Sequence, residues 1–529
     1  MQLISYEFIG FLILGAVLYY SVFRKHQWIL LLILSVCFYL AAGWKLLLFP
    51  VFTAALTWAS ALLIAKTAEL IRQRKKDKKN EADPCKAGTD ALKARKRRIL
   101  RVCLILCFGV LGVVKYTDFV LSLIGKLINA FGVPGSFDKV GFLLPLGISY
   151  YTFQAMGYLI DVYRGKYGPE SNYLKVLLFV MFFPQLTSGP ISRYDQIGES
   201  LSSGHRWNAD DTIDGMQRIL WGFFKKLVIA DRMSGPVMAI INAPEQYQGI
   251  FVLLGMVGFT LWMYADFSGG IDIVLGAARL FGIKLPENFD LPFISASLAE
   301  FWTRWHMTLM SWMRDYVFYS VATAKTTRRI TKKTGVILPK GLNTRMNAYI
   351  ASLTVWFITG IWHGASERFV IWGMANFFVM SVSQELSPLY RKARRICPWM
   401  SGRVWRGFMA VRTFLLFSVL EMFECYPIRT VFSRLWNLLT VPLVPGGFVH
   451  SVQSLGLASS EWRLLGAAWI VILLSAGIRI WTSDPERSMS FYRTRFFRIG
   501  SIYCLFIVVL VMGRYGHGYA VADFFYNSF

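Results

Sequence analysis

Long runs of apolar residues, joined by short polar segments, follow one another along almost the whole chain. A helix needs about 20 mostly apolar residues to cross the ~30 Å hydrocarbon core of a bilayer. The clearest runs lie at residues 8–22, 28–42, 100–114, 176–190, 250–265, 349–362, 369–382, 414–423, 464–478 and 502–512. With the shorter and more mixed runs between them, they predict an all-α polytopic membrane protein with roughly 11–13 membrane-embedded helices.

The middle of the chain follows a different pattern from its ends. Between residues 144 and 373 the apolar runs are repeatedly interrupted by Pro, Gly and ionisable residues. At membrane depth such breaks are tolerated only where the freed backbone groups face protein or a water-filled cavity. We therefore expect one membrane domain over residues 1–529. In it, residues 1–140 form N-terminal helices with a basic cytoplasmic loop, residues 141–385 a functional core and residues 386–529 C-terminal helices.

Composition and charge support a membrane location. Of the 529 residues, 55% are hydrophobic and 17% are charged, whereas about a quarter of the residues of a soluble domain are charged. Most of the net charge of +26 lies in three blocks, at 71–101, 325–345 and 390–406. Basic runs between membrane helices are more typical of cytoplasmic loops than of nucleic-acid binding. Counting crossings back from the first block puts Arg24 and Lys25 inside and the N-terminus outside.

The signatures of several soluble enzyme classes are missing from the sequence. There is no GxSxG, Walker-type phosphate loop, GxGxxG or HExxH, and the seven cysteines form no CxxC pair. Nucleotide hydrolysis and zinc proteolysis are therefore disfavoured, and we expect neither a metal site nor a disulfide framework.

Two of the six histidines, His306 and His363, lie in the interrupted middle region. Helical spacing puts Trp302, Trp305, His306, Leu309 and Met313 on one face, which predicts an amphipathic helix. His363 follows an apolar run and precedes the small residues of "HGA". An ionisable residue at membrane depth is a functional hypothesis by default, with a hydrogen-bonded structural histidine as the alternative. A neutral imidazole can take the proton of a hydroxyl as that oxygen attacks an activated carbonyl.

Six motifs in a fixed order carry a resemblance to a known family. They are "LPLGISYYTFQAMGYLIDVYRG", "FFPQLTSGPISRY", "GFFKKLVIADR", "YADFSGGIDIVLGAARLFGIKLPENFDLPF", "EFWTRWHMTLMSWMRDYVF" and "GIWHGASERFVIWG". The chain resembles the membrane-bound O-acyltransferase family over nearly its whole length, most strongly over 144–373. Within it, the chain is most similar to the bacterial branch that holds alginate O-acetyltransferase and the teichoic acid D-alanyl transfer protein.

The resemblance implies an activity that composition does not. Family members move an acyl group from a cytoplasmic thioester to a hydroxyl acceptor, through a funnel inside a ring of helices. By this similarity His363 is the catalytic proton-transfer residue, and His306 is a second histidine that orients a substrate or shares the proton. We expect acetyl-CoA as the donor substrate with no bound cofactor, and an extracytoplasmic polysaccharide or cell-wall glycan as acceptor. We also expect a partner protein with an extracytoplasmic acyltransferase domain and a location in a bacterial cytoplasmic membrane. We do not expect a nucleic-acid partner.

Six further residues are candidates for substrate binding. They are Asp266, Asp272, Arg304, Gln185, Trp305 and Trp362. The two aspartates could orient a histidine or a substrate hydroxyl, or they could bridge broken helices. Arg304 could contact donor phosphates or form a structural ion pair. The neighbouring Lys225 and Lys226 are expected to reach from the interface to the lipid headgroups.

Three alternatives remain open at this point. Inside the family, the donor could be the D-alanyl thioester of a carrier protein and the acceptor teichoic acid. A flippase or transporter for lipid-linked glycans would use the broken helices as a path, although no internal repeat supports it. A membrane scaffold that docks a secreted acyltransferase would tolerate the loss of His363.

Overall fold

The computed structural model describes residues 2–77, 86–133, 135, 137–337, 339–442, 448–482, 494–516 and 524. Helix accounts for 79% of the described residues, which contain no β-strand. The nearest approach to a sheet is an isolated antiparallel bridge between Phe289 and Trp305. The predicted all-α, polytopic membrane class is therefore confirmed. The ring around a central funnel stays a prediction, as does the division of one domain into three parts.

Backbone contacts divide the chain into two compact units, residues 1–209 with 277–286 and residues 210–276 with 287–529. The helices of the first unit are α1 Tyr6–Tyr20, α2 Gln27–Leu40, α3 Leu48–Asp77, α4 Lys86–Ala130, α5 Ile148–Arg164, α6 Tyr173–Met181 and α7 Tyr194–Ser202. A short 3-10 turn, Trp44–Leu47, precedes α3. The long helices α3 and α4 pack against each other and against α5.

The second unit holds the remaining helices, apart from the first residue of α8 and the last four of α10. In its first half they are α8 Ala209–Phe223, α9 Asp231–Asn242, α10 Ile250–Leu280, α11 Leu298–Arg304, α12 Met307–Trp312, α13 Tyr319–Ala322 and α14 Lys325–Thr334. They continue as α15 Lys340–His363, α16 Glu367–Glu385, α17 Ser387–Ile396, α18 Arg403–Cys425, α19 Ile428–Thr440, α20 Phe448–Gln453, α21 Ser459–Thr482 and α22 Arg495–Met512. Two π-helical segments, Phe224–Ala230 and Met313–Phe318, connect α8 to α9 and α12 to α13. Short 3-10 turns lie at Pro292–Ile294 and Pro398–Ser401.

Five segments among the described residues are long and apolar enough to cross a membrane. They are Trp44–Lys76, Gly88–Ala130, Ile250–Leu280, Ser459–Thr482 and Arg495–Met512. The apolar helices α1 and α2 are shorter, at 15 and 14 residues. Several predicted runs fall on helices that carry charged residues or end early, such as α6, which stops at Met181 before Pro184. The total of 11–13 membrane-embedded helices therefore stays a prediction.

The hairpin of α15 and α16 is closed by two glycines that face each other's helix. A Cβ on Gly360 would lie 2.5 Å from the carbonyl oxygen of Phe369, and one on Gly373 would strike the carbonyl oxygen of Trp356. Only hydrogen side chains permit backbones to approach this closely. The contact fixes the end of α15, where His363 is the last helical residue.

Candidate functional site

The chain breaks direction at His306, inside the segment predicted as one amphipathic helix. Helix α11 ends at Arg304, His306 takes a left-handed conformation with φ 46° and ψ 48°, and α12 begins at Met307. The prediction of a single helix is therefore wrong. The predicted apolar face is confirmed, because its members are all nearly inaccessible: Trp302, Trp305, His306, Leu309 and Met313.

Asn288 supports the backbone at this break. The Met307 N–H donates to the Asn288 carbonyl at 3.0 Å. The Asn288 side-chain oxygen accepts from both the backbone N–H of Thr308, at 3.1 Å, and its hydroxyl, at 2.8 Å. The same oxygen lies 3.1 Å from Nδ1 of His306. An acceptor at this position favours the tautomer with hydrogen on Nδ1, which leaves Nε2 as the basic nitrogen of the neutral ring.

His363 lies beside a carboxylate that the sequence reasoning missed. Its Nδ1 is 3.2 Å from Oε1 of Glu424 on α18, and the two side chains are only 4% and 3% exposed. Glu424 directly follows the apolar run 414–423, in the part of the chain that is predicted to form C-terminal helices and not the functional core. The available signal was the pair Glu421 and Glu424, since two carboxylates in or next to an apolar run are costly to bury without partners.

Aromatic rings surround both histidines, and the indole of Trp362 contacts both of them. The ring of Trp362 lies 5.6 Å from that of His306 and 5.4 Å from that of His363, centroid to centroid. The ring of Phe267 lies 5.0 Å from that of His306, and the ring of Trp372 lies 4.5 Å from that of His363. The two histidines are thus buried among aromatic rings, with 2% and 4% of their surface exposed.

The predicted residues Asp266 and Asp272 form buried ion pairs. Lys226 Nζ donates to Asp266 at 2.7 Å and lies 2.9 Å from Asp231. Lys225 pairs with Asp272, which also accepts from Arg218 at 2.5 Å. These contacts match the alternative in which the aspartates bridge helices.

The expectation that Lys225 and Lys226 reach the headgroups is wrong. Both residues are buried, with 4% and 1% of their surface exposed. They belong to the π-helical segment Phe224–Ala230 and turn toward the carboxylates on α10. A buried ammonium is retained because it gains a carboxylate partner in place of water.

The other candidates lie in different settings. Arg304 forms ion pairs with Asp290, at 3.3 Å, and Glu300, at 3.4 Å, in agreement with a structural role. Trp305 is buried against Phe289, with ring centroids 5.0 Å apart. Gln185 belongs to the first unit, where its side-chain oxygen accepts from the Ser192 hydroxyl at 2.9 Å. Among the described residues no group of three or more His, Cys, Asp or Glu side chains could hold a metal ion.

The fold and the site together define a helical, multi-pass membrane protein with two buried histidines, His306 and His363, at one indole. Comparison of the sequence with known proteins identifies a family with which it shares similarity. The profile of the membrane-bound O-acyltransferase family matches residues 168–338, a range that contains His306 but not His363.

Curated relatives agree with the profile. "Probable alginate O-acetylase AlgI" of Pseudomonas aeruginosa is 32% identical over 373 residues, covering 70% of this chain and 63% of the relative. "Peptidoglycan O-acetyltransferase" of Helicobacter pylori is 28% identical, covering 56% and 58%. "Teichoic acid D-alanyltransferase" of Bacillus subtilis is 28% identical, covering 50% and 64%. The chain belongs to the membrane-bound O-acyltransferase family, and it spans roughly three fifths of the length of these relatives.

Proposed function

We propose that this protein is an O-acyltransferase that moves an acetyl group from a cytoplasmic thioester, acetyl-CoA, to hydroxyls of an extracytoplasmic polysaccharide or cell-wall glycan. The observation that carries the proposal is the placement of His306 and His363 against one indole in a buried aromatic setting. The two residues come from separate motifs of the family resemblance. Placement in a bacterial cytoplasmic membrane, with the N-terminus outside, belongs to the same proposal.

In this mechanism His363 is the proton-transfer group. Its neutral imidazole takes the proton of the acceptor hydroxyl while that oxygen attacks the thioester carbonyl. A new C–O bond forms, the C–S bond breaks, and the imidazolium returns the proton to the leaving thiolate. The products are an O-acyl ester and a free thiol, so no oxidant, metal or other co-reactant is needed.

His306 acts as the second histidine. Asn288 holds its ring with Nδ1 toward the amide oxygen, so that Nε2 carries the lone pair that accepts a proton. The ring either orients the acceptor hydroxyl or shares its proton with His363. The aromatic enclosure serves both residues, because excluding water keeps the thioester from hydrolysis and strengthens each electrostatic contact.

The names of the relatives support two donor classes. Two of the proteins compared above are named for O-acetylation, of alginate and of peptidoglycan. A third is named for D-alanyl transfer to teichoic acid, and a second protein of that name, from Streptococcus thermophilus, is 35% identical over 240 residues. Transfer of D-alanine from a carrier-protein thioester is therefore the second candidate function.

Replacing His363 tests the proposal. We expect His363→Ala, purified in lipid nanodiscs with labelled acetyl-CoA or a D-alanyl carrier-protein thioester, to lose at least about 100-fold in turnover. Thiol release and acyl transfer are both measured, with a candidate partner protein and glycan present. His450→Ala is the matched control, since this histidine on α20 is exposed and should leave turnover unchanged.

The outcomes separate the candidates. If the wild type reacts only with acetyl-CoA and His363→Ala loses that activity, acetyl transfer is supported. If the wild type reacts only with the carrier-protein thioester and His363→Ala loses that activity, D-alanyl transfer is supported. A folded His363→Ala variant that keeps more than half of wild-type turnover would contradict the enzyme proposal and favour the scaffold reading.

A further inference from the structure

We infer that Glu424 is a positioning residue for His363, and that it holds the imidazole with Nδ1–H toward its carboxylate so that Nε2 is the reacting nitrogen. The inference rests on the proposed function, because it assigns a role within that reaction. Glu424 lies beyond the six motifs that carry the family resemblance and beyond the matched range 168–338.

The geometry places the carboxylate at the side of the ring that the reaction does not use. Nδ1 and Oε1 are 3.2 Å apart, an ion-pair contact that is not aligned as a hydrogen bond in this structure. Catalytic contacts of this kind commonly tighten when substrate binds. A proton on Nδ1, donated to Oε1, fixes the tautomer of the ring and leaves the lone pair on Nε2. A carboxylate in this position therefore determines which nitrogen of the His363 ring acts as the base.

Packing against α16 and α18 holds the pair in place. The Trp372 ring on α16 lies 4.5 Å from the His363 ring, and its indole N–H donates to Oε1 of Glu421 at 3.0 Å. Helix α18 thus carries two buried glutamates, three residues apart, with different tasks. Glu421 contacts the indole that packs on the imidazole, whereas Glu424 contacts the imidazole itself.

Burial argues that Glu424 has a specific partner. A carboxylate with a side chain only 3% exposed is costly unless a donor or a positive charge faces it. His363 supplies a donor when neutral and a positive charge when it has taken the proton of the acceptor. The contact therefore strengthens as the proton moves, which is the property that accelerates a reaction.

Other ionisable groups also face this pair. They are Glu421 and Cys425 on α18, Arg368 on α16 and His306 across Trp362. The Arg368 guanidinium donates to the backbone carbonyl of Cys425 at 2.8 Å, so it orients toward the end of α18 next to Glu424. The carboxylate that contacts Nδ1 of His363 is that of Glu424.

The test compares the two glutamates in the full chain in nanodiscs. We expect Glu424→Gln to lower kcat by about 100-fold or more with little change in KM, because the amide can no longer stabilise the imidazolium. The acid limb of its kcat–pH profile should move to lower pH, since losing the carboxylate makes His363 harder to protonate. Glu421→Gln, which keeps a side chain of the same size on the same helix but contacts Trp372 and not His363, should lower kcat less than Glu424→Gln does. Glu385→Gln, at an exposed glutamate on α16, should leave both kcat and the profile unchanged.

Each result decides the inference. Glu424→Gln with wild-type kcat and an unshifted pH profile would overturn it while His363→Ala remains inactive, and the proposed function would stand. Activity in His363→Ala would instead overturn the proposed function. If Glu424→Gln does not fold, Glu424→Asp takes its place: the retained but shortened carboxylate should give an intermediate kcat with the profile unshifted, and an unchanged kcat would contradict the inference.

Discussion

At the scale of single residues, His306 joins a strained backbone to a chemically useful ring. A non-glycine residue in the left-handed region costs about 1–2 kcal/mol. The conformation persists because its surroundings impose it, through the Asn288 hydrogen bonds and the Trp362 and Phe267 rings. Strain of this kind, held beside a candidate catalytic group, favours a functional reason for the break.

Two substitutions at this residue separate backbone strain from chemistry. Both His306→Gly and His306→Ala remove the imidazole, so each should lose most of its acyl-transfer activity. Because glycine adopts φ 46° without strain, the glycine variant should be more stable by about 1 kcal/mol. Thermal unfolding of both variants in the same detergent measures the difference.

The matched control uses a histidine inside a helix. At His450 on α20 the order should reverse, because glycine in a helix is less favourable than alanine by about 1 kcal/mol. An alanine variant at 306 that is as stable as the glycine variant would show that the left-handed conformation carries little strain.

At the scale of elements, the buried lysines show why the polar part of this fold is hard to predict. Lys225 and Lys226 are adjacent in sequence and yet both reach α10, which a π-helical segment permits because it rotates successive side chains differently from an α-helix. The Lys226 ammonium joins Asp231, at the start of α9, to Asp266 on α10. Removing this one cation affects two carboxylates.

This arrangement predicts an unequal response to substitution. Lys226→Met leaves Asp231 and Asp266 buried without their shared cation and should cost about 3–5 kcal/mol of folding stability. Asp266→Asn leaves the ammonium with Asp231 and should cost less than half as much. Denaturant or thermal unfolding of the purified protein gives both values. Lys325→Met on the exposed start of α14 controls for loss of a lysine, and equal costs at Lys226 and Asp266 would contradict the shared-cation arrangement.

The sequence predicted what depends on local pattern. Apolar runs gave the helical membrane class, and the spacing of Trp302 and His306 gave their buried face. It did not predict the break at His306, since no glycine or proline marks it and its support comes from Asn288, 18 residues earlier. Nor did it predict the contact of Glu424 with His363, because partners that meet only through helix packing leave no local pattern.

At the scale of the whole molecule, the basic residues predict a direction of the chain across the membrane. Helix α3 ends with Arg74, Lys75 and Lys76. Helix α4, which packs against it, begins in the same basic block. At 30 residues, α3 is about 45 Å long, which is enough to carry the chain from one face to the other. The positive-inside rule then predicts that the basic end of α3 and the basic start of α4 lie in the cytoplasm and that the turn at Trp44 lies outside.

Cysteine labelling tests this orientation directly. In a variant with the native cysteines replaced by alanine, Trp44→Cys should react with a membrane-impermeant maleimide in intact cells, since this residue is 69% exposed at the turn before α3. Lys75→Cys, which is also exposed, should react only after the cells are permeabilised. Labelling of both positions after permeabilisation is the control for access. The reverse labelling pattern would invert the predicted topology. The N-terminus would then lie in the cytoplasm, the basic blocks would lie outside, and the thioester donor would enter from the other face.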